Sequence, residues 1–281
     1  MESGVQNKIF ITILSILSLS TFSEEFKVKK TWFGDPDLQG VWTNASLTTL
    51  ERPDHFDALE ISDEVADYAK KASQDFNEIL DNPYEEGETP ESGGDVGGYN
   101  VAWMDPGNDF IRLNGKYRSS ILTYPENGKL PRRLTRWAIE GPSIYRMFNS
   151  ADHPEERSLG ERCIVGFGSS GGPPMLNVLY NNHYQIVQSP GFVMIMVEMN
   201  HDARIIRLES EHNPDEMRPW LGDSIGWWEG DTLVVKTKNH HPQQKFRAAI
   251  RHQILIMDGA EVTERFTRTS DNEILYEIEV S

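Results

Sequence analysis

Ser224-Ile-Gly-Trp-Trp-Glu-Gly-Asp-Thr-Leu-Val-Val-Lys-Thr-Lys-Asn239 decides the fold class. Two adjacent indoles lead into Glu229-Gly230, which reads as a turn, and an alternating apolar run follows it. Successive side chains on a strand point to opposite faces, so this stretch predicts a β-hairpin with Trp227 and Trp228 on different faces. One ring is then an inward wall and the other an outward cover.

Strand patterns continue on both sides of it. Tyr184-Gln-Ile-Val-Gln188 precedes Ser-Pro-Gly, and 192–199 is apolar on both faces. Downstream, Gln253-Ile-Leu-Ile-Met257 runs into Asp258-Gly259, a strong hairpin signal. Val262, Glu264, Phe266 and Arg268 share one face of the next strand, and Ile274, Tyr276, Ile278 and Val280 one face of the last. Short strands with tight turns predict a mainly β protein, an antiparallel meander closed as a lipocalin-like barrel or folded as a sandwich. The chain stops at Ser281 in mid-pattern, which reads as a truncated end with an apolar edge.

The N-terminal half adds decoration. Lys8 and the apolar run 9–19, followed by small and polar residues to Ser23, read as a signal peptide over 1–23, too short for a bilayer span of about 20 residues. The expected order is this peptide, a linker over 24–36, and one β-rich domain over 37–281. Asp37-Leu-Gln-Gly-Val-Trp-Thr43 reads as a first strand and 117–124 as another. Ser62 caps an amphipathic helix over 62–80 whose apolar stripe is Val65, Ala69, Ala72, Phe76 and Leu80. A Pro-, Gly- and Glu-rich excursion over 82–98 and a short helix near 135–138 complete the expectation.

Charge narrows the partners. Lys plus Arg number 27 against 44 Asp plus Glu, a formal net charge of -17. Such a surface repels phosphate backbones and anionic lipid headgroups, so nucleic acid is excluded as a partner and no stable membrane insertion is expected after signal cleavage. The single cysteine, Cys163, cannot form an internal disulfide, and its plainest reading is a packed thiol. The glycines of 166–172 end in Pro-Pro and lack the Lys-Ser/Thr of a phosphate loop.

Several blocks together resemble one large family of exported bacterial proteins without a settled activity. They are Gly40-Val-Trp-Thr-Asn-Ala-Ser-Leu-Thr-Thr-Leu-Glu-Arg-Pro53, Gly97-Gly-Tyr-Asn-Val-Ala-Trp103, Glu161-Arg-Cys163, Gly172-Pro-Pro-Met175, Tyr180-Asn-Asn182, Glu198-Met-Asn-His-Asp-Ala-Arg-Ile-Ile206, Gly222-Asp-Ser-Ile-Gly-Trp-Trp-Glu-Gly-Asp-Thr-Leu-Val-Val235 and Glu264-Arg-Phe-Thr-Arg268. The resemblance implies export to the periplasm or beyond. It transfers no reaction.

Candidate chemistry therefore comes from the residues. Glu198, His201, Asp202 and Arg204 are the densest titratable group beside apolar strands. If Asn200-His201-Asp202 is the turn, Met196 faces Ile206 and Glu198 faces Arg204. His201 is then a candidate general acid or base, Glu198 its partner and Arg204 an anion clamp. Their plainer reading is a hairpin tip with a cross-strand ion pair. Trp227, Tyr184, Glu264 and Arg268 are candidate ligand contacts, the last two joining Arg204 if they point inward. His183, His201 and His212 lack recognised metal-ligand spacing, so no metal or other cofactor is expected. The function expected is binding of a small, partly apolar molecule, or cofactor-free hydration, dehydration, isomerisation or hydrolysis of it. The competing expectation is an exported protein that binds another protein through its loops or a sheet edge.

Overall fold

The computed structural model describes residues 26–81, 104–130, 152–157, 159–166, 172–250 and 252–281. The expected signal peptide, the expected excursion over 82–98 and the expected short helix near 135–138 lie outside them.

The hairpin forms with its turn one residue later than expected. β8 (Asp223–Glu229) and β9 (Thr232–Lys238) pair antiparallel, Glu229 opposite Thr232, so Gly230-Asp231 is the loop. Gly230 has φ +65, the left-handed value required at the first position of a type II′ turn. Leu233 and Val235 are buried on one face and Val234 on the other, where it lies opposite Trp227.

Around this hairpin grows one curled, half-barrel sheet of eight strands. Its further members are β1 (Gly40–Thr43), β5 (His183–Ser189), β6 (Phe192–Val197), β7 (Ala203–Leu208), β12 (Val262–Ser270) and β13 (Glu273–Val280). The order is β1-β5-β6-β7-β8-β9-β12-β13. Every neighbouring pair is antiparallel except β7 and β8, which run parallel with Ile206 beside Ser224. A parallel step cannot be closed by a tight turn, and the chain spends 209–222 crossing between the two strands. The sheet is thus mixed, a correction to the uniform antiparallel meander.

No ladder joins β1 to β13 among the described residues. Side chains and irregular segments lie across that side instead. Arg268 Nη1 donates to the Asp37 carbonyl at 2.9 Å, its guanidinium lies 5.2 Å from the Trp42 ring, and Met175 N donates to Tyr276 Oη at 2.9 Å. The described part of the expected linker, 26–36, packs against the sheet. Val28 is buried, and Lys29 and Lys30 pair with Asp271 and Asp231.

The inner face of the curl is filled. Tyr184, Ile186, Val193, Ile195, Val197, Ile206, Leu233, Val235 and Phe266 form one buried cluster with Leu38, Met175 and Met199. Burying a large apolar side chain contributes about 1.5–3 kcal/mol, so this cluster is the main stabilising unit.

Two smaller sheets flank it. β2 (Glu60–Ile61), β4 (Lys116–Arg118) and β3 (Arg112–Leu113) form a three-stranded patch, so the strand expected over 117–124 is confined to its first residues. α1 (Asp63–Asp81) starts where Ser62 Oγ caps the Val65 amide at 3.4 Å. It docks through Ala66 and Ala69 onto Phe56, Phe110 and Tyr117, while Val65 and Phe76 stay exposed. The expected stripe is thus rotated, because small residues let the helix backbone approach the aromatic patch. β10 (Phe246–Ala249) and β11 (His252–Leu255) form the other pair. Asp258-Gly259 therefore turns the chain from one sheet to another and closes no hairpin.

Candidate functional site

The tip of the β6-β7 hairpin is the first place where expectation and structure separate. Val197 N donates to the Asp202 carbonyl at 2.8 Å, leaving a four-residue loop over 198–201 in which Asn200 and His201 both have φ +57. Ile195 consequently faces Arg204 and Met196 faces Ala203. The expected register, with Met196 opposite Ile206, is displaced by an odd number of residues, which turns Arg204 to the inner face and away from Glu198.

Glu198 and Arg204 therefore occupy different environments. Half-exposed Glu198 accepts from His183 Nδ1 at 3.0 Å and from the His183 backbone amide at 3.3 Å. His201 is exposed beside it. Asp202 accepts the Gly166 amide at 3.1 Å, and partial burial pushes its carboxyl above the ordinary range. Glu198, His201 and Arg204 form no common site.

Arg204 belongs to a closed inner network. Its Nε donates to Ser224 Oγ at 3.0 Å, Nη2 to Thr237 Oγ1 at 3.0 Å, and Nη1 to Glu264 Oε1 at 3.0 Å, with a second bond from Nη2 to Glu264 Oε2. Glu264 also accepts the Tyr276 hydroxyl at 2.7 Å. Burial, then the adjacent carboxylate, pushes Tyr276 well above its ordinary pKa, so the phenol remains a donor. Arg204 is 3% exposed and Glu264 is wholly buried. Every strong partner is engaged, which is the geometry of a register-fixing ion pair rather than of a group awaiting substrate.

The remaining expected contacts separate as well. Tyr184 is buried in the inner cluster, where its hydroxyl accepts from Asn44 at 3.3 Å and burial raises its pKa. Trp228 packs against the inner cluster, whereas Trp227 lies on the opposite face and donates to Glu229 at 3.0 Å. Arg268 Nε and Nη2 bind the Ser270 and Asp271 carbonyls, completing the clasp onto Asp37 and Trp42. Cys163 is exposed, at φ +51, contrary to a packed thiol.

A site that sequence reasoning missed lies at the start of β8. Asp223 is 5% exposed and takes part in four hydrogen bonds. Arg207 Nη2 and the Asn213 amide each donate at 2.9 Å, Asn213 Nδ2 donates at 2.8 Å, and His212 Nδ1 lies 2.9 Å from Oδ2. A carboxylate can only accept, so the neutral His212 ring carries its proton on Nδ1 and presents an unprotonated Nε2. That Nε2 is buried without a hydrogen-bond partner among the described residues. A carboxylate thus sets the tautomer of a histidine whose second nitrogen is left unpaired.

No protein-family model matches the chain, and no curated protein or solved structure is significantly similar to it.

Among the described residues no three His, Cys, Asp or Glu side chains gather as a metal centre would need. The signal for the dyad was present in the crossover 209–222, whose His-Asn pair reaches back to Asp223. It carried no motif, because the irregular chain over 213–222 sets the contact.

Proposed function

We propose that the protein is an exported small-molecule-binding protein that performs cofactor-free acid-base chemistry on a small, partly apolar substrate, with His212 as proton carrier. The apolar run over 9–19 supports export, and the half-barrel is the scaffold that holds the crossover 209–222 carrying His212. The observation that carries the reading is the buried Nε2 of His212, unpartnered while Nδ1 is held by Asp223. In this reading Nε2 removes a substrate proton, Asp223 keeps the ring oriented opposite the imidazolium that forms, and the proton returns to another substrate atom. Arg207 and Asn213 hold Asp223 in turn, so the carboxylate does not rotate away.

A library of small carbonyl and hydroxy compounds, screened by thermal shift and then by NMR for turnover, tests the proposal. Compounds that bind should be turned over by wild type and at least about 100-fold more slowly by His212→Gln, with binding retained. Equal turnover by His212→Gln removes the acid-base role.

A second reading is favoured by the outer sheet face. Phe192, Met196 and Ile205 are 48%, 36% and 50% exposed on the neighbouring strands β6 and β7. A contiguous apolar surface of this kind suits protein binding. Ile205→Lys would abolish such binding and leave small-molecule turnover unchanged.

A further inference from the structure

We infer that Arg247 and His240 form a binding site for a small monoanion, either a halide or the carboxylate of an organic acid. Arg247 is wholly buried at the start of the β10-β11 hairpin. Its Nε donates to the Pro173 carbonyl at 2.9 Å, and Nη1 to the carbonyls of Gln244 and Phe246 at 2.8 and 2.9 Å. Those acceptors are neutral, and Nη2 has no partner among the described residues. An isolated buried cation is strongly disfavoured unless an anion accompanies it.

The surroundings add positive charge rather than removing it. Arg204 acts on both groups, and its own carboxylate, Glu264, is already committed to it. Burial first, and Arg204 second, hold the Arg247 guanidinium down to about 10. His240 is 8% exposed, and no side chain among the described residues pairs with its ring nitrogens.

Only glycines bring the backbone this close to the two side chains. A Cβ built on Gly172 would stand 3.6 Å from Arg247 Nη2, 3.6 Å from Gln244 Nε2 and 3.3 Å from Leu221 Cδ2. A Cβ on Gly222 would stand 3.0 Å from His240 Nδ1. Leu221 and Gly222 connect the two points, with φ +70 and +76, and Leu221 N donates to Gln244 Oε1 at 2.7 Å. A bulky residue held in the left-handed region costs free energy, as is found where a backbone is bent around a ligand. The corner shares no side chain with the His212–Asp223 pair, although Gly222 directly precedes Asp223.

Crystals of the protein grown in sodium bromide test the inference directly. An anomalous peak is expected within hydrogen-bonding distance of Arg247 Nη2. In parallel, melting curves at constant ionic strength compare chloride, acetate and hexanoate in wild type and Gly172→Ala. Gly172 is outside the left-handed region, and its tightest contact is the end of the Leu221 side chain, so the variant folds while occupying the space beside Nη2. Wild type should rise by about 5–10 °C when an anion reaches roughly 100 times its Kd, and Gly172→Ala should not. Similar rises with all three anions assign a free-ion site, and a rise that grows from acetate to hexanoate assigns the head group of an organic acid. The inference is overturned if bromide leaves no peak there and the two proteins respond alike to every anion.

Discussion

At the residue scale the inner polar groups divide into one closed pair and one unbalanced cation. Arg204 and Glu264 satisfy each other, so Glu264→Gln leaves a buried guanidinium facing a neutral amide and should cost about 3–5 kcal/mol. The double replacement Arg204→Met with Glu264→Leu should recover much of that loss, because neither charge remains to be desolvated. A double-mutant cycle by urea unfolding measures both.

His240 supplies a pH signature at the same scale. Burial, then the cations Arg247 and Arg204, lower its pKa to about 4, against which the Thr237 backbone carbonyl pulls upward. Between pH 6.5 and pH 4 the unfolded chain binds a proton that the folded chain refuses. The contribution is therefore full above pH 6.5 and declines as pH falls toward 4, by roughly 3 kcal/mol in all. In low-salt buffer His240→Gln should flatten that part of the stability profile by about this amount, which urea unfolding at pH 7, 5.5 and 4.5 would record.

Elements depend on single backbone positions. Gly230 and Gly222 both need positive φ, yet they differ in surroundings: nothing lies within 4 Å of a Cβ on Gly230, whereas one on Gly222 would meet Thr237 Cγ2 at 2.7 Å and the Lys238 carbonyl at 3.0 Å. Gly230→Ala should cost about 1 kcal/mol from backbone strain alone. Gly222→Ala should cost more than twice that, because a carbonyl in the β8-β9 ladder must also move; thermal unfolding of the two variants compares them.

The β8-β9 hairpin was legible from its residues because a two-residue loop and alternating apolar positions are local facts. The β6-β7 register was not. Asn200 and His201 tolerate the left-handed region that lengthens the loop to four residues, and only the packing of Val193, Ile195 and Ile206 on the inner face selects that loop. One consequence is that Arg204 leaves Glu198 and meets Glu264, some sixty positions away.

Across the whole molecule, stability should fall from the middle of the sheet to its borders. β7, β8 and β9 have strand neighbours on both sides, whereas β1 and β13 have one each. Native-state hydrogen exchange should therefore be slowest in β7–β9 and fastest in β1 and in the outer half of β13. Exchange at β13 as slow as at β8 would show that its free edge is covered.

The amino-acid sequence by itself determined what short-range chemistry can determine: a mainly β chain, an acidic composition, Ser62 at a helix start, and a shared strand face for Glu264 and Phe266. Period-two patterning and turn preferences act over a few residues, so they are readable without knowing what packs on what. Only the tertiary structure decided the parallel step between β7 and β8, the docking face of α1, and the partners of Arg204, Asp223 and Arg247. Those depend on which distant surfaces meet and on how burial changes the free energy of a charge, and no local pattern encodes either.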